Sequence, residues 1–148
     1  MTALPGRADF DVIAGWVQPG QRVLDLGCGD GSLLRLLIDT RGAVGYGIEI
    51  EDSKSLAAIG NGINVLQSDL EAGLAIFVDD AFDHVVLSRT LQTVRNTQDI
   101  LREMLRVGRE AVVSFPNFGY WKNRMAVMAG RMPVSEDLPY QWYDTPNM

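Results

Sequence analysis

The residues best placed to do chemistry stand in one short run, VLDLGCGDGSL, at positions 23–33. Gly27, Gly29 and Gly31 alternate with Cys28 and Asp30, and Asp25 precedes them. Glycines bend through backbone conformations that other residues avoid and let a ligand come close. Amides at the start of a following helix can face that ligand. About 20 residues after the first of these glycines comes Glu49, where an acid accepts hydrogen bonds from a ribose diol in nucleotide-binding βαβ units. Glycine loop and acid together point to a ligand that carries a ribose.

Charge narrows the choice. The dinucleotide pattern is G-x-G-x-x-G, and here Ser32 stands where its third glycine belongs. The Gly-Lys-Ser/Thr ending of a P-loop is missing as well. Asp25 and Asp30 flank the loop, and its nearest basic neighbours in sequence are Arg22 and Arg35. A pyrophosphate would meet two carboxylates without an obvious counter-charge, each contact costing about 4 kcal/mol at about 4 Å and an effective dielectric of about 20. A cationic ligand without phosphate is favoured. S-adenosylmethionine, with its ribose, sulfonium and ammonium, fits this better than NAD.

Residues that could move a proton or attack a substrate are scarce. His84, the only histidine, is expected at the start of a strand, away from the glycine loop. Cys28 has no activating neighbour in sequence and reads as a small packing residue. Tyr120, Glu49 and the loop aspartates remain as bases without strong support, so no residue is assigned a catalytic role. No cluster with metal-ligand spacing and no Ser/His/Asp set is visible.

The loop must sit between a strand and a helix, and the chain supplies them. Apolar strand-like runs alternate with helical patterns, as in an α/β protein with a parallel sheet. Strands are expected at Arg22–Leu26, Ala43–Glu49, Ile63–Gln67, His84–Ser88 and Ala111–Phe115. An opening helix, Phe10–Val17, has Asp9 as a candidate cap. Further helices are expected at Ser32–Ile38, from Asp52 to the Gly60-Asn61-Gly62 turn, and at Asn96–Val107. In the last, Ile100, Leu101, Met104 and Leu105 share a face and Gly108 marks the end. Beyond Pro116 the composition changes: Phe118, Tyr120, Trp121, Tyr140, Trp142 and Tyr143 gather there with Pro133, Pro139 and Pro146. A helix over about Trp121–Ala129 is expected, followed by an irregular segment that either lids the protein, docks a partner or wraps its own core.

Bulk properties bound the function. The chain has 148 residues, enough for one domain, of which 47% are hydrophobic and 22% charged, as in globular proteins. A net charge of -6 and a pI of about 4.6 argue against nucleic acid, which calls for a basic patch. A single cysteine excludes an internal disulfide. No apolar run is long enough to span a membrane, and MTALPGRADF has no signal-peptide core, so a cytoplasmic location is expected.

The loop D-L-G-C-G-D-G resembles the first motif of class I S-adenosylmethionine-dependent methyltransferases over residues 20–115. That resemblance implies a doubly wound, mostly parallel, Rossmann-like sheet. It also implies that Asp25 lies near the methionyl amino group and that Gly27, Cys28 and Gly29 pass beneath the ligand. Glu49, with Ile50 beside it, would hold the ribose, Asp69 the adenine amino group, and Leu70 would stack or donate its amide. Leu87 and Ser88 would line the methionine side. The L-E-H-V run of many small-molecule enzymes of that superfamily is absent, with Thr93 at its histidine, as is the Asn/Asp-Pro-Pro-Tyr run of amino-group methyltransferases.

The phrases FPNFGYW and LPYQWYDTPN, with GYGIEI and FDHVVLSRTLQTV, resemble the methionine biosynthesis protein W (MetW) family over nearly the whole chain. The resemblance implies one methyltransferase-like domain that binds S-adenosylmethionine or S-adenosylhomocysteine. It implies an activator or regulator of a homoserine O-acyltransferase, succinyl- or acetyltransferase, of the MetX type, rather than chiefly a methyltransferase. The alternative is an active methyltransferase on a small molecule. In the first case residues 116–148, with Phe118, Tyr120, Trp121, Tyr140, Trp142 and Tyr143, would face the partner. Relatives run on past the DTPN phrase, so the sheet is expected to lack its last one or two strands. Departures from the family are Arg89 in place of the commoner glutamine, Tyr120 in place of histidine, and the divergent DSKSLAAIGNG stretch.

Overall fold

A computed structural model describes residues 7–91, 94–115, 117 and 119–133 of the chain. Five strands, β1 (Arg22–Leu26), β2 (Val44–Glu49), β3 (Asn64–Gln67), β4 (Phe82–Ser88) and β5 (Gly108–Ser114), form one sheet in the order β3-β2-β1-β4-β5. All four pairings are parallel. The helices are α1 (Ala8–Trp16), α2 (Ser32–Arg41), α3 (Asp52–Gly60), a single turn α4 (Leu70–Gly73) running into a 3-10 turn (Leu74–Ile76), α5 (Thr97–Val107) and α6 (Trp121–Met128). The expected doubly wound α/β sheet is the one observed.

Side chains alternate across a strand, and that alternation builds two cores. Val23 and Val86 join Ile13 of α1, Leu34 and Leu37 of α2 and Ala58 of α3 on one face. Leu24, Leu26, Val85 and Leu87 join Leu74, Ile100, Met104 and Val107 on the other. Strands buried on both faces read as continuous apolar runs, which is why RVLDL and HVVLS stand out in the sequence.

Several elements differ from expectation for identifiable reasons. The buried face of α5 is Ile100, Met104 and Val107, while Leu105 is 64% exposed. A spacing of four and then three keeps those residues on one stripe, and Leu105 falls off it. Asn96 caps α5 as expected, accepting from the Asp99 N–H at 3.4 Å. The next strand follows without a loop. Gly108 is both the cap of α5 and the first residue of β5, and a Cβ there would meet Val85 Cγ2 at 2.5 Å. Sheet pairing therefore starts earlier than the apolar pattern suggests, with Phe82 opposite Gly108. Phe115 falls outside β5 and is exposed. Asp9 does not cap α1; Arg7 occupies that position, and the Asp9 side chain turns to Arg7, Ser88 and Arg89. Helix α2 runs on to Arg41, where Gly42 at φ 60° donates its N–H to the Ile38 carbonyl, a common glycine stop.

Gly47 leaves room for the glycine loop to pack on β2. A Cβ added there would lie 2.4 Å from Cys28 Sγ and 2.8 Å from Cys28 Cβ. Gly47→Ala should lower the unfolding free energy by about 1–3 kcal/mol, the usual cost of overpacking. Urea unfolding of the two proteins checks this, and equal midpoints would mean that the loop yields freely.

Candidate functional site

In a doubly wound sheet, ligands bind beyond the carboxyl ends of the strands, where the strand order reverses. Here that point lies between β1 and β4. A cavity of about 310 Å³ opens there, lined by Arg7, Phe10, Asp25, Gly27, Cys28, Gly29, Asp30, Ser32, Leu33 and Ser88.

The β1–α2 loop is shaped by its glycines. Gly27, Gly29 and Gly31 all have positive φ, at 69°, 58° and 77°, a region open to glycine at little cost. The N–H groups of Gly27 and Cys28 both donate to the Ile48 carbonyl, at 2.8 and 3.0 Å. Gly31 is the cap residue of α2, and a Cβ there would lie 2.6 Å from Ile63 Cγ1. In dinucleotide folds the third glycine allows close helix packing; Gly31 gives the same close packing one residue earlier, so Ser32 need not be glycine.

Glu49 fastens this loop from the side. Its carboxylate accepts from the Gly29 N–H at 2.9 Å and from the Ile50 and Glu51 N–H groups at 3.0 Å each. The residue is buried. A carboxylate has about four acceptor sites, so one remains for a ligand hydroxyl.

Asp25 is the anomaly of the site. It is 3% exposed, and its Oδ1 is buried without a hydrogen-bond partner. Burial pushes its pKa up to about 7; Glu49 pushes the same way, while the positive charge of Arg7 opposes. A buried acceptor left unpaired costs free energy until something donates to it, and a ligand ammonium could do so. Cys28 is driven the other way from reactivity. Burial, with Asp25 and Glu49 nearby, raises its thiol to about 12, so it stays protonated and packs against Gly47.

The remaining sequence candidates scatter. Ser88 reaches the cavity, whereas Leu87 is fully buried in the α5-side core. Ile50 is exposed beside Glu49. Asp69 and Leu70 follow β3, where Asp69 accepts from the Glu71 N–H at 2.9 Å and caps α4. His84 sits near the opposite end of the sheet with Nε2 2.9 Å from Gln21 Oε1, as expected. Tyr120 and Trp121 are exposed at the start of α6. Phe118, Tyr140, Trp142, Tyr143 and Thr93 lie outside the described residues. Among the described residues there is no metal-binding cluster and no helix long and apolar enough to cross a membrane.

Two cavity residues escaped the sequence reading: Arg7 and Phe10. Arg22 is bound to Asp83 and Arg35 to Asp39, so the sequence-adjacent cations are not in the cavity. Arg7 supplies the positive charge that seemed to be missing. The site therefore pairs one cation with the acids, where the loop alone suggested acids only. The clue available in sequence was Arg7-x-Asp9-Phe10 at the start of the opening helix.

Asp25 gives stability a definite pH dependence. Its folded pKa lies above the ordinary 3.8, so the folded state holds a proton that the unfolded chain has released. That contribution is complete below about pH 4 and is lost as pH rises through about 7. Asp25→Asn should flatten the fall between those limits in urea midpoints measured across pH; an unchanged slope would mean that Asp25 is not the titrating group.

Comparison with known proteins agrees with this architecture. The sequence pattern of the family described as methionine biosynthesis protein MetW matches residues 7–148. The chain is 42% identical over 149 aligned positions to the bifunctional methionine biosynthesis protein MetXA/MetW of Rhodopirellula baltica, spanning 94% of this chain and 24% of that one. It is 35% identical to the ubiquinone/menaquinone biosynthesis C-methyltransferase UbiE of Vibrio campbellii, over 72% of this chain and 46% of that one. The chain thus spans less than half of either relative. In structure it resembles a SAM-dependent methyltransferase of Thermotoga maritima, described as a possible histamine N-methyltransferase. The TM-score is 0.67 at 18% identity, covering 82% of this chain and 56% of that one. A SAM-dependent methyltransferase of Archaeoglobus fulgidus gives a TM-score of 0.62 at 24% identity, covering 69% and 46%. These two likenesses establish the fold. The family follows from the sequence match: the chain belongs to the MetW family of methionine biosynthesis proteins.

Proposed function

We propose that this chain binds S-adenosylmethionine or S-adenosylhomocysteine in the β1–β4 cavity and regulates a homoserine O-acyltransferase of the MetX type in the cytoplasm. The partner half rests on one observation: the Rhodopirellula baltica relative carries both names, MetXA and MetW, on a single chain. Two proteins that act together are the ones most readily joined, since linkage raises their effective concentration. The ligand half is supported by the fit of the cavity. Asp25 Oδ1 lacks a donor, Glu49 keeps an acceptor site beside the glycine loop, and the ligand has an ammonium and a ribose diol to offer. The remaining candidates, Asp69 and Leu70 for adenine and Ser88 for the methionine side, belong to the same reading. For the partner surface we favour α6 and the residues around it, where Tyr120, Trp121 and Met125 are exposed; exposed aromatics are frequent anchors of interfaces.

A second reading, a small-molecule methyltransferase, is favoured by the likeness to UbiE. Among the described side chains around the cavity the acids are the candidate general bases, and in the proposed reading Asp25 is taken up by the ligand ammonium. Cys28 stays protonated and His84 is at the far end of the sheet. Methyl transfer would then rest on proximity to an acceptor that is already nucleophilic.

Homoserine acylation by the purified acyltransferase, with and without this chain and across S-adenosylmethionine concentrations, separates the two. We expect co-elution of the two proteins and a rate that depends on both additions. Linkage requires that the nucleoside change the affinity of the complex by the factor by which the partner changes nucleoside affinity, about 5- to 150-fold for couplings of ordinary size. A rate indifferent to the chain at every concentration would contradict the regulatory reading, and methyl transfer to a pathway metabolite would establish the other.

A further inference from the structure

We propose that Arg7 is the carboxylate-binding residue of this cavity and that Asp9 and Ser88 are its positioning residues, so that the site selects ligands with an intact amino-acid end. This rests on the reading of the cavity as a site for S-adenosylmethionine or its product.

The guanidinium is held on three sides. Nε and Nη2 donate to the Asp9 carboxylate at 3.1 and 3.0 Å. Nη2 also donates to Ser88 Oγ at 3.0 Å. The Phe10 ring lies beneath it, 4.1 Å from the guanidinium carbon to the ring centroid. Asp9 is itself fixed by Ser88 Oγ at 3.1 Å and by Arg89 at 3.4 Å. Burial raises the Asp9 pKa, but Arg7, Arg89 and Ser88 outweigh it and hold the carboxyl below its ordinary range, so it stays ionised. Asp9 thus takes the Nε–Nη2 edge of the guanidinium and Ser88 the remaining Nη2 hydrogen. Nη1 makes no hydrogen bond among the described residues, and its two N–H groups are left to donate to a carboxylate.

The opposite charge of the cavity is Asp25, whose Oδ1 is unpartnered. Arg7 is close enough to lower the Asp25 pKa, yet no ion pair joins them among the described residues. Without Asp9 the arginine would be free to swing onto Asp25 and neutralise it. Held by Asp9, it leaves an acid and a cation facing one cavity, each with bonding capacity unused. An α-amino acid carries the matching pair on one carbon: an ammonium for Asp25 and a carboxylate for Nη1. A ribonucleoside without that group would leave both unmet.

Calorimetric titration of the full chain with two probes tests this. S-adenosylhomocysteine has the amino-acid end; methylthioadenosine has the same adenosine and thioether without it. Arg7→Ala should weaken the first by about 10- to 100-fold, the range for charge-assisted hydrogen bonds, and leave the second unchanged, which also shows that the variant is folded. Asp9→Asn should weaken the first by less and again spare the second. Equal losses for both probes, or full retention of S-adenosylhomocysteine by Arg7→Ala, would overturn the assignment and reduce Arg7 to a staple of α1. Failure of wild-type protein to bind either probe is a different pattern, and it would overturn the reading of the cavity and this assignment with it.

Discussion

One carboxylate ties the site together. Glu49, at the end of β2, accepts three backbone N–H groups, one from the β1–α2 loop and two from the turn into α3. Hydrogen bonds to a charged acceptor are stronger than neutral ones, and here they lock the β1–α2 loop to the turn into α3. The loop can come that close because Gly29 takes a positive φ and because Gly47 leaves room for Cys28. Gly31 then lets α2 settle against Ile63 and Ala58. Glycine positions, loop shape and helix packing all depend on this contact between neighbouring parallel strands.

The same geometry strands Asp25. It lies on the central strand, under the loop, near the charge of Glu49 and out of reach of solvent. A fold built only for stability would place a nonpolar residue or a paired acid there, since a buried unpaired carboxyl is costly. Strongly shifted groups in clefts are a physical mark of functional sites. In the proposed reading the cost is offset when a cationic ligand arrives, with Arg7 opposite to take the carboxylate of the same ligand.

Local pattern made much of this legible. The RVLDL and HVVLS runs located β1 and β4 because both strands are buried on both faces, and the Gly27–Gly31 spacing with Glu49 located the glycine loop because those signals sit within one βαβ unit. The parts that escaped depend on distance in sequence or on short range in space. Arg7 meets Ser88 across 81 positions, so nothing near the loop announced it. Asp9 had the look of a cap, but a long-range pairing claimed its side chain. Leu105 kept the right composition for the α5 core and missed its stripe by one position. The turn over Leu70–Ile76 is too short to show a helical period, yet its Leu74 is buried in the core on the α5 side of the sheet.

If the ligand ammonium meets Asp25, binding must move a proton. At pH 6 the free site, with a pKa of about 7, is mostly protonated, and a cation placed against it favours the carboxylate. Calorimetric titration with S-adenosylhomocysteine in two buffers of different ionisation enthalpy counts the protons exchanged. The expected result is release on the order of one proton at pH 6, fading above pH 8. Tight binding at pH 6 with no net release would contradict the pairing of Asp25 with the ligand cation.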